Sequence, residues 1–244
     1  MNDSVFAPKN IVIVGASGGI GSAFVSGALD RFSGAIVHGF SRSGSLGITH
    51  DRLRSGVIDY TKAETVEAAV DSLDVQPDLI IVATGSLHGE GFGPEKSLRD
   101  LDTVNLTRSY LINTVGPALI AKHFLPLMPR DGRSVFAALS ARVGSISDNR
   151  LGGWYGYRAA KAGLNQMLKT ASIEHARRFK QSAVIGLHPG TVDTGLSKPF
   201  QGNVAEGTLF TAEYAAGKML DVIASVSAND TGKVFAWDGS EVPA

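Results

Sequence analysis

The chain has 244 residues, enough for one sizeable α/β domain; Lys plus Arg and Asp plus Glu number 23 each, so the formal charge is zero. Neutrality gives no field that would gather nucleic acid or an anionic membrane, and 43% hydrophobic content is ordinary for a soluble globular protein. With no cysteine, disulfides, thiolate catalysis and cysteine-based zinc sites are excluded.

The N-terminal "MNDSVFAPKN" lacks a basic region followed by an apolar stretch, so it does not read as a signal peptide. No apolar run approaches a membrane span. The N-x-[ST] matches at Asn2, Asn105 and Asn229 then have no secretory context, and a cytoplasmic location is expected.

Along the chain, "KNIVIVGA" predicts a buried strand and "GIGSAFVSGALDRF" a helix. "GAIVHGFSR" and "SGVIDY" predict two more strands, "ETVEAAVDSL" a helix and "PDLIIVATG" a fourth strand. A long helical region is expected from about Asp100 to Leu127, then strand in "RSVFAALS" and helix from about Trp154 to Phe179. "SAVIGLHPG" reads as strand, "TAEYAAGKMLDVIASV" as helix and "GKVFAWDG" as a last strand. Apolar, non-alternating strands interleaved with helices predict a single-domain, doubly wound, parallel seven-stranded sheet covered on both faces, a Rossmann-type α/β fold. Residues 190–210 form the one long irregular stretch, and loops of that length are usually functional lids or disordered.

"IVIVGASGGIGSAF" puts Gly15, Gly19 and Gly21 between the first strand and first helix. Glycine there allows a tight turn and a close approach of backbone to a pyrophosphate, with Ser17 and Ile20 in the same loop, at a helix N-terminus whose N–H groups favour anions. "GASGG" also matches the G-x-S-x-G nucleophile elbow, which would make Ser17 a nucleophile. That elbow needs an oxyanion loop from an earlier strand, and too little chain precedes Gly15 to supply one. The second strand ends on Ser41 and Arg42 where an acidic residue would grip a ribose 2′-hydroxyl. A guanidinium suits a 2′-phosphate instead, which favours NADP, with NAD possible. Asp59 is a candidate for the adenine amino group, against a plain capping role.

"GGWYGYRAAKAG" places Tyr157 and Lys161 at i and i+4, on one helical face. A phenol with an ammonium one turn away reads as a proton donor whose pKa is lowered toward neutrality. The six histidines show no metal-ligating pattern; His188, at a strand end nearest the site, is expected to make a satisfied polar contact, His88 lies in the loop after the fourth strand where it could line the pocket, and Tyr155 and Trp154 are expected as walls or loop-packing aromatics rather than chemistry.

Gly15-x-x-x-Gly19-x-Gly21, Tyr157-x-x-x-Lys161 and "HPGTVDT", in order along nearly the whole chain, resemble the short-chain dehydrogenase/reductases. "GPEKSLRDL", "SARVGSISDN" and "FAWDGSEVP" are further similar to the C-factor-like and sniffer-like carbonyl reductase branch. The resemblance implies hydride transfer between NAD(P)H and a carbonyl or alcohol. It implies Tyr157 as acid/base, Lys161 as its partner, Asn113 holding a proton-relay water, and a catalytic serine. Around the nicotinamide it implies Ala83, Gly85, Pro189, Gly190, Val192 and Thr194, with Thr194 at the carboxamide. Two departures, Val14 for threonine and "VATG" for Asn-Asn-Ala-Gly, are expected to leave the sheet intact. The serine pattern departs too: Ala141 aligns with the catalytic position, so Ser140 or Ser145 would have to supply the hydroxyl, and Ser140, ending the strand, is the choice. The helix after Tyr157 often builds a subunit interface in such proteins, which implies a homodimer or homotetramer. The leading function is an NADP-dependent carbonyl reductase acting on a small molecule, with apolar Leu87, Phe92, Leu196 and Phe200 favouring an apolar or aromatic substrate. The alternatives are a nucleotide-binding signalling protein without turnover, and a sugar-nucleotide epimerase or dehydratase, for which the C-terminal region is short.

Overall fold

The computed structural model describes residues 6–203, 205 and 207–244; Asn2, Val204 and Glu206 lie outside the described residues. Its elements run β1 (Asn10–Val14), α1 (Gly19–Arg31), β2 (Ile36–Ser41), β3 (Leu53–Val57), α2 (Ala63–Asp71), β4 (Leu79–Val82), α3 (Thr103–Tyr110), α4 (Gly116–Phe124), β5 (Ser134–Leu139), α5 (Tyr155–His175), β6 (Ser182–His188), β7 (Thr191–Val192), β8 (Leu209–Phe210), α6 (Ala212–Ser225) and β9 (Val234–Ala236). Seven strands form one sheet in the order β3-β2-β1-β4-β5-β6-β9. Every pairing in it is parallel. The expected seven strands are therefore the seven observed.

The apolar runs explain the layers. Successive strand residues face opposite ways. Ile11 and Ile13 of β1 pack with Phe24, Leu29, Met219 and Ile223 of α1 and α6. Val12 and Val14 join Val66, Ile120, Phe124 and Leu164 of α2, α4 and α5 on the other face. Both faces being covered, β4 and β5 are buried along their whole length and carry no polar alternation. The Val14 and Ala83 departures leave the sheet intact: Val14 pairs with Val82, and Ala83 N–H donates to the Val14 carbonyl at 2.7 Å.

The expected helix from 100 to 127 is broken into pieces. A 3-10 turn (Leu98–Asp100) precedes α3, a π-helical turn (Leu111–Val115) separates α3 from α4, and a second 3-10 turn (Leu125–Leu127) follows. Pro117 is the physical reason for the widened turn. It has no N–H to return to the Asn113 carbonyl, and its ring would collide with that carbonyl in a regular α-turn. Residues 190–210 are not wholly irregular: β7 and β8 pair in parallel, and a 3-10 segment (Lys198–Asn203) lies between them.

From β1 the chain winds outward through β2 and β3, then returns to β4 beside β1. The reversal opens a crevice at the carboxyl ends of β1 and β4, where ligands bind in open α/β sheets.

Candidate active site

At that crevice the glycine loop is pinned by backbone. Gly15 has φ +86°, and an added Cβ would sit 2.8 Å from Thr84 Cγ2. A Cβ on Gly21 would sit 2.0 Å from the Gly15 carbonyl oxygen, so the first turn of α1 can close on the loop only with glycine there. The α1 N-cap, Gly18, offers no side-chain acceptor, and the first turn holds no acidic residue. Its leading N–H groups are thus left for an anion.

The loop opens onto a cavity of about 520 Å³. Among the expected site residues, Gly19, Ile20, Ala83, Gly85, Ser140, Tyr157, Lys161, Pro189, Gly190, Val192 and Thr194 line it. Gly15 and Ser17 in the loop and Gly21 in α1 are not among the lining residues, and Ser41, Arg42 and Asp59 lie off the cavity, at or just past the ends of β2 and β3. Arg42 is exposed and Ser41 buried. The Asp59 carboxylate accepts from Thr61 N–H at 3.0 Å and Thr61 Oγ1 at 2.7 Å, which closes a local turn before α2 and is not the helix cap weighed above, since the α2 N-cap is Lys62 and has no side-chain cap bond. Those bonds, with smaller help from Lys62 and Arg42, hold Asp59 below the usual carboxylate range.

Tyr157 and Lys161 occupy the first two turns of α5 and share a face, with Lys161 Nζ 5.7 Å from the Tyr157 ring centre. Lys161 is buried, and its ammonium donates to the Leu139 carbonyl at 2.7 Å. The expected lowering of the phenol's pKa is corrected by the structure. Burial pushes Tyr157 up, and it pushes Lys161 down to about 7. Loss of water around two buried groups outweighs their mutual attraction across that distance.

Asn113 is fully buried inside the π-turn. Its amide donates to the Ser86 carbonyl at 2.8 Å and the Ser109 carbonyl at 3.0 Å, and its Oδ1 accepts from Ser86 N–H. The side chain thereby fixes the loop after β4 to the helix. Asn113 itself is not among the residues that line the cavity.

The serine question resolves in part. Ser145 is off the cavity: it donates to the Ala244 carbonyl at 3.3 Å and accepts from Asp148 N–H. Ser140 and Ala141 are both on the wall. The Ser140 hydroxyl, however, donates to Asn165 Oδ1 at 2.5 Å, so its one proton is committed to α5.

The roof is aromatic. Phe200 lies 5.1 Å from the Trp154 ring and 5.7 Å from the His88 ring, and His88 Nε2 is 2.9 Å from the Gly195 carbonyl. His88 therefore holds the 190–210 segment rather than lining the cavity, whereas Leu87, Leu196 and Phe200 do line it. Phe92 instead borders a smaller cavity behind Tyr157, together with Glu95. Thr84, Arg142, Val143 and His188 are also on the main wall, and the polar contact expected of His188 is not made: its buried Nδ1 has no hydrogen-bond partner. Glu95 was not foreseen as a site residue; a buried acid 61 positions before the helix it caps leaves no local pattern. Among the described residues no group of three His, Asp or Glu could hold a metal, and no helix is long and apolar enough to cross a membrane.

Residues 9–204 match the family model described as short chain dehydrogenase. Over 235 residues the chain is 30% identical to a 1-hydroxy-2-glutathionyl-2-methyl-3-butene dehydrogenase of Rhodococcus sp. (strain AD45), covering 95% of this chain and 98% of that one. It is 31% identical over 147 residues to the C-signal protein of Myxococcus xanthus, covering 60% of this chain and 83% of that one. The fold is similar to that of an NADPH-bound carbonyl reductase from chicken fatty liver, with TM-score 0.86, 22% identity and coverage of 100% and 97%.

Proposed function

The chain belongs to the short-chain dehydrogenase family, and on that basis we propose that it is a carbonyl reductase that prefers NADP(H) and acts on a small, largely apolar carbonyl or alcohol. The carrying observation is that the glycine loop, Tyr157 and Lys161 face one cavity of about 520 Å³. The cradle fits a dinucleotide: Gly15, Ser17, Gly19, Ile20 and Gly21 would hold the pyrophosphate at the α1 N-terminus. Ser41 and Arg42 would take the 2′-phosphate and Asp59 the adenine. Ala83, Gly85, Pro189, Gly190, Val192 and Thr194 would flank the nicotinamide. When bound, the nicotinamide supplies or accepts the hydride.

Tyr157 holds its proton on the phenol oxygen, as its raised pKa requires, and gives it to the carbonyl oxygen in reduction. Lys161, neutral in part at neutral pH, passes a proton toward the phenol oxygen from its place under Leu139. Asn113 keeps the loop after β4 against the helix so that this geometry persists. Leu87, Trp154, Leu196 and Phe200 exclude water and favour an apolar or aromatic substrate.

Exposed apolar side chains on α3 and α5, among them Val104, Tyr110, Met167 and Ile173, support self-association as a homodimer or homotetramer. We place the protein in the cytoplasm, which its lack of cysteine suits.

The test is thermal shift with NADPH and NADH, followed by NADPH oxidation with a panel of aliphatic and aromatic aldehydes and ketones. A ligand that prefers the native state raises the melting temperature. Stabilisation by NADPH, turnover with a carbonyl and its loss in Tyr157→Phe are expected. A second reading, a nucleotide-binding signalling protein, is favoured by the committed Ser140 hydroxyl and by Ala141. Stabilisation by NADPH with no turnover across the panel would select it.

A further inference from the structure

Reduction puts negative charge on the carbonyl oxygen, and donors already aimed at that charge are what a site of this kind needs. Tyr157 is one. The other polar side chains on the wall are largely spoken for. Ser140 donates to Asn165, Thr84 shares a 2.6 Å bond with Tyr60, Lys161 donates to Leu139 and Arg142 pairs with Asp148 at 3.1 Å. Ser197 donates to the Val192 carbonyl at 2.5 Å. Ala141 has no donor.

Besides Tyr157, His188, Thr191 and Trp154 are the polar wall residues whose side chains enter no hydrogen bond; Thr191 is exposed and Trp154 packs on Phe200, whereas His188 has a buried ring nitrogen. It ends β6, next to the strand end that anchors the catalytic lysine. Leu187, the residue before it, accepts Ser140 N–H at 2.7 Å and pairs in register with Leu139, whose carbonyl holds Lys161. Nδ1 is sealed from solvent without a partner. A sealed N–H with no acceptor is the costlier orphan, so the proton belongs on Nε2 and Nδ1 keeps its lone pair.

We propose that His188, as the neutral Nε2–H tautomer, is a catalytic residue that donates a hydrogen bond to the substrate carbonyl oxygen, in the role Ala141 and Ser140 leave unfilled. No proton changes hands at His188. The hydride arrives at the carbonyl carbon, the carbonyl π bond becomes an oxygen lone pair, and the proton that neutralises it comes from Tyr157. Neutrality follows from the surroundings. Burial, with the nearby Arg142 charge, pushes the imidazole down to about 4, while Asp238 pulls weakly the other way. An uncharged donor stabilises the developing oxyanion without capturing its proton.

This inference rests on the reductase reading, and the two can fail separately. The experiment compares wild type, His188→Ala, His188→Gln and His188→Ala/Ala141→Ser with NADPH and 4-nitrobenzaldehyde as the probe. For His188→Ala, kcat is expected to fall about 10²-fold, while the NADPH-induced rise in melting temperature stays at the wild-type value. His188→Gln, which keeps an N–H donor, and the added serine are each expected to recover about tenfold of that loss. In parallel, ¹⁵N spectra of the histidine-labelled protein report the tautomer without turnover. A neutral Nε2–H signal for His188 from pH 5 to 8 is expected. An Nδ1–H tautomer, a His188→Ala kcat within about threefold of wild type, or a loss of NADPH stabilisation in step with the rate would each overturn the proposal. A wild type that binds NADPH but never reduces the probe would overturn the reductase reading, and the spectrum would still decide the donor state.

Discussion

The carboxylate of Glu95 accepts the backbone N–H of Gly156 at 3.0 Å, one residue before Tyr157. The same residue's carbonyl accepts Trp154 N–H at 2.5 Å. Glu95 therefore caps α5 from a distant loop, since Trp154 at the N-cap position has no capping side chain and holds a left-handed φ of 53°. Anionic capping at a helix N-terminus is favourable, and here it fixes the turn that carries the phenol.

Removal of the cap in Glu95→Ala is expected to cost about 1–3 kcal/mol of stability and to lower kcat more than it raises KM. Glu95→Gln keeps an acceptor and should restore most of both. Gly156→Ala would put a Cβ 2.8 Å from the Glu95 carboxylate. Its damage should shrink in the Glu95→Ala background, and strict additivity in urea melts of the four proteins would contradict a direct contact.

Lys161 gives a pH signature. Its folded pKa of about 7 lies below the ordinary lysine value of 10.5, so between those pH values the unfolded chain binds more protons than the native one. Stability from this group is therefore least below pH 7 and rises as pH climbs toward 10.5. Lys161→Met should be more stable than wild type at pH 6 to 7 and should lack the gain between pH 7 and 9. Parallel slopes for the two proteins across that window would remove the assignment.

Arg42 is exposed at the end of β2 and lies close enough to Asp59 to help depress its carboxyl. Arg42→Ala is expected to weaken NADPH binding about tenfold and leave NADH unchanged, as read by isothermal titration. Equal losses for both nucleotides would place the guanidinium elsewhere.

Phe200 closes the cavity against Trp154 and His88. Phe200→Ala should raise KM for an aromatic aldehyde about two- to tenfold with a smaller effect on kcat. A fall in kcat with unchanged KM would mean that the segment acts on the chemistry rather than on substrate binding.

Much of this protein was legible in one dimension because its signals are local. Unbroken apolar runs announced buried parallel strands, and glycines after β1 announced a loop that no Cβ could enter. The i, i+4 spacing alone put Tyr157 and Lys161 on one face. The sequence by itself therefore determined the sheet, the glycine loop at the crevice and the Tyr157–Lys161 pair, since backbone sterics and side-chain periodicity act over a few residues.

What only the tertiary structure decided depends on contacts between distant segments. Burial reversed the expected direction for Tyr157, because desolvation is set by everything packed around the ring. Asn165 Oδ1 accepts the Ser140 hydroxyl from 25 residues away, and Glu95 reaches α5 from 61. Hydrogen-bond partners and dielectric surroundings are properties of the folded neighbourhood, and no local pattern in the chain encodes them.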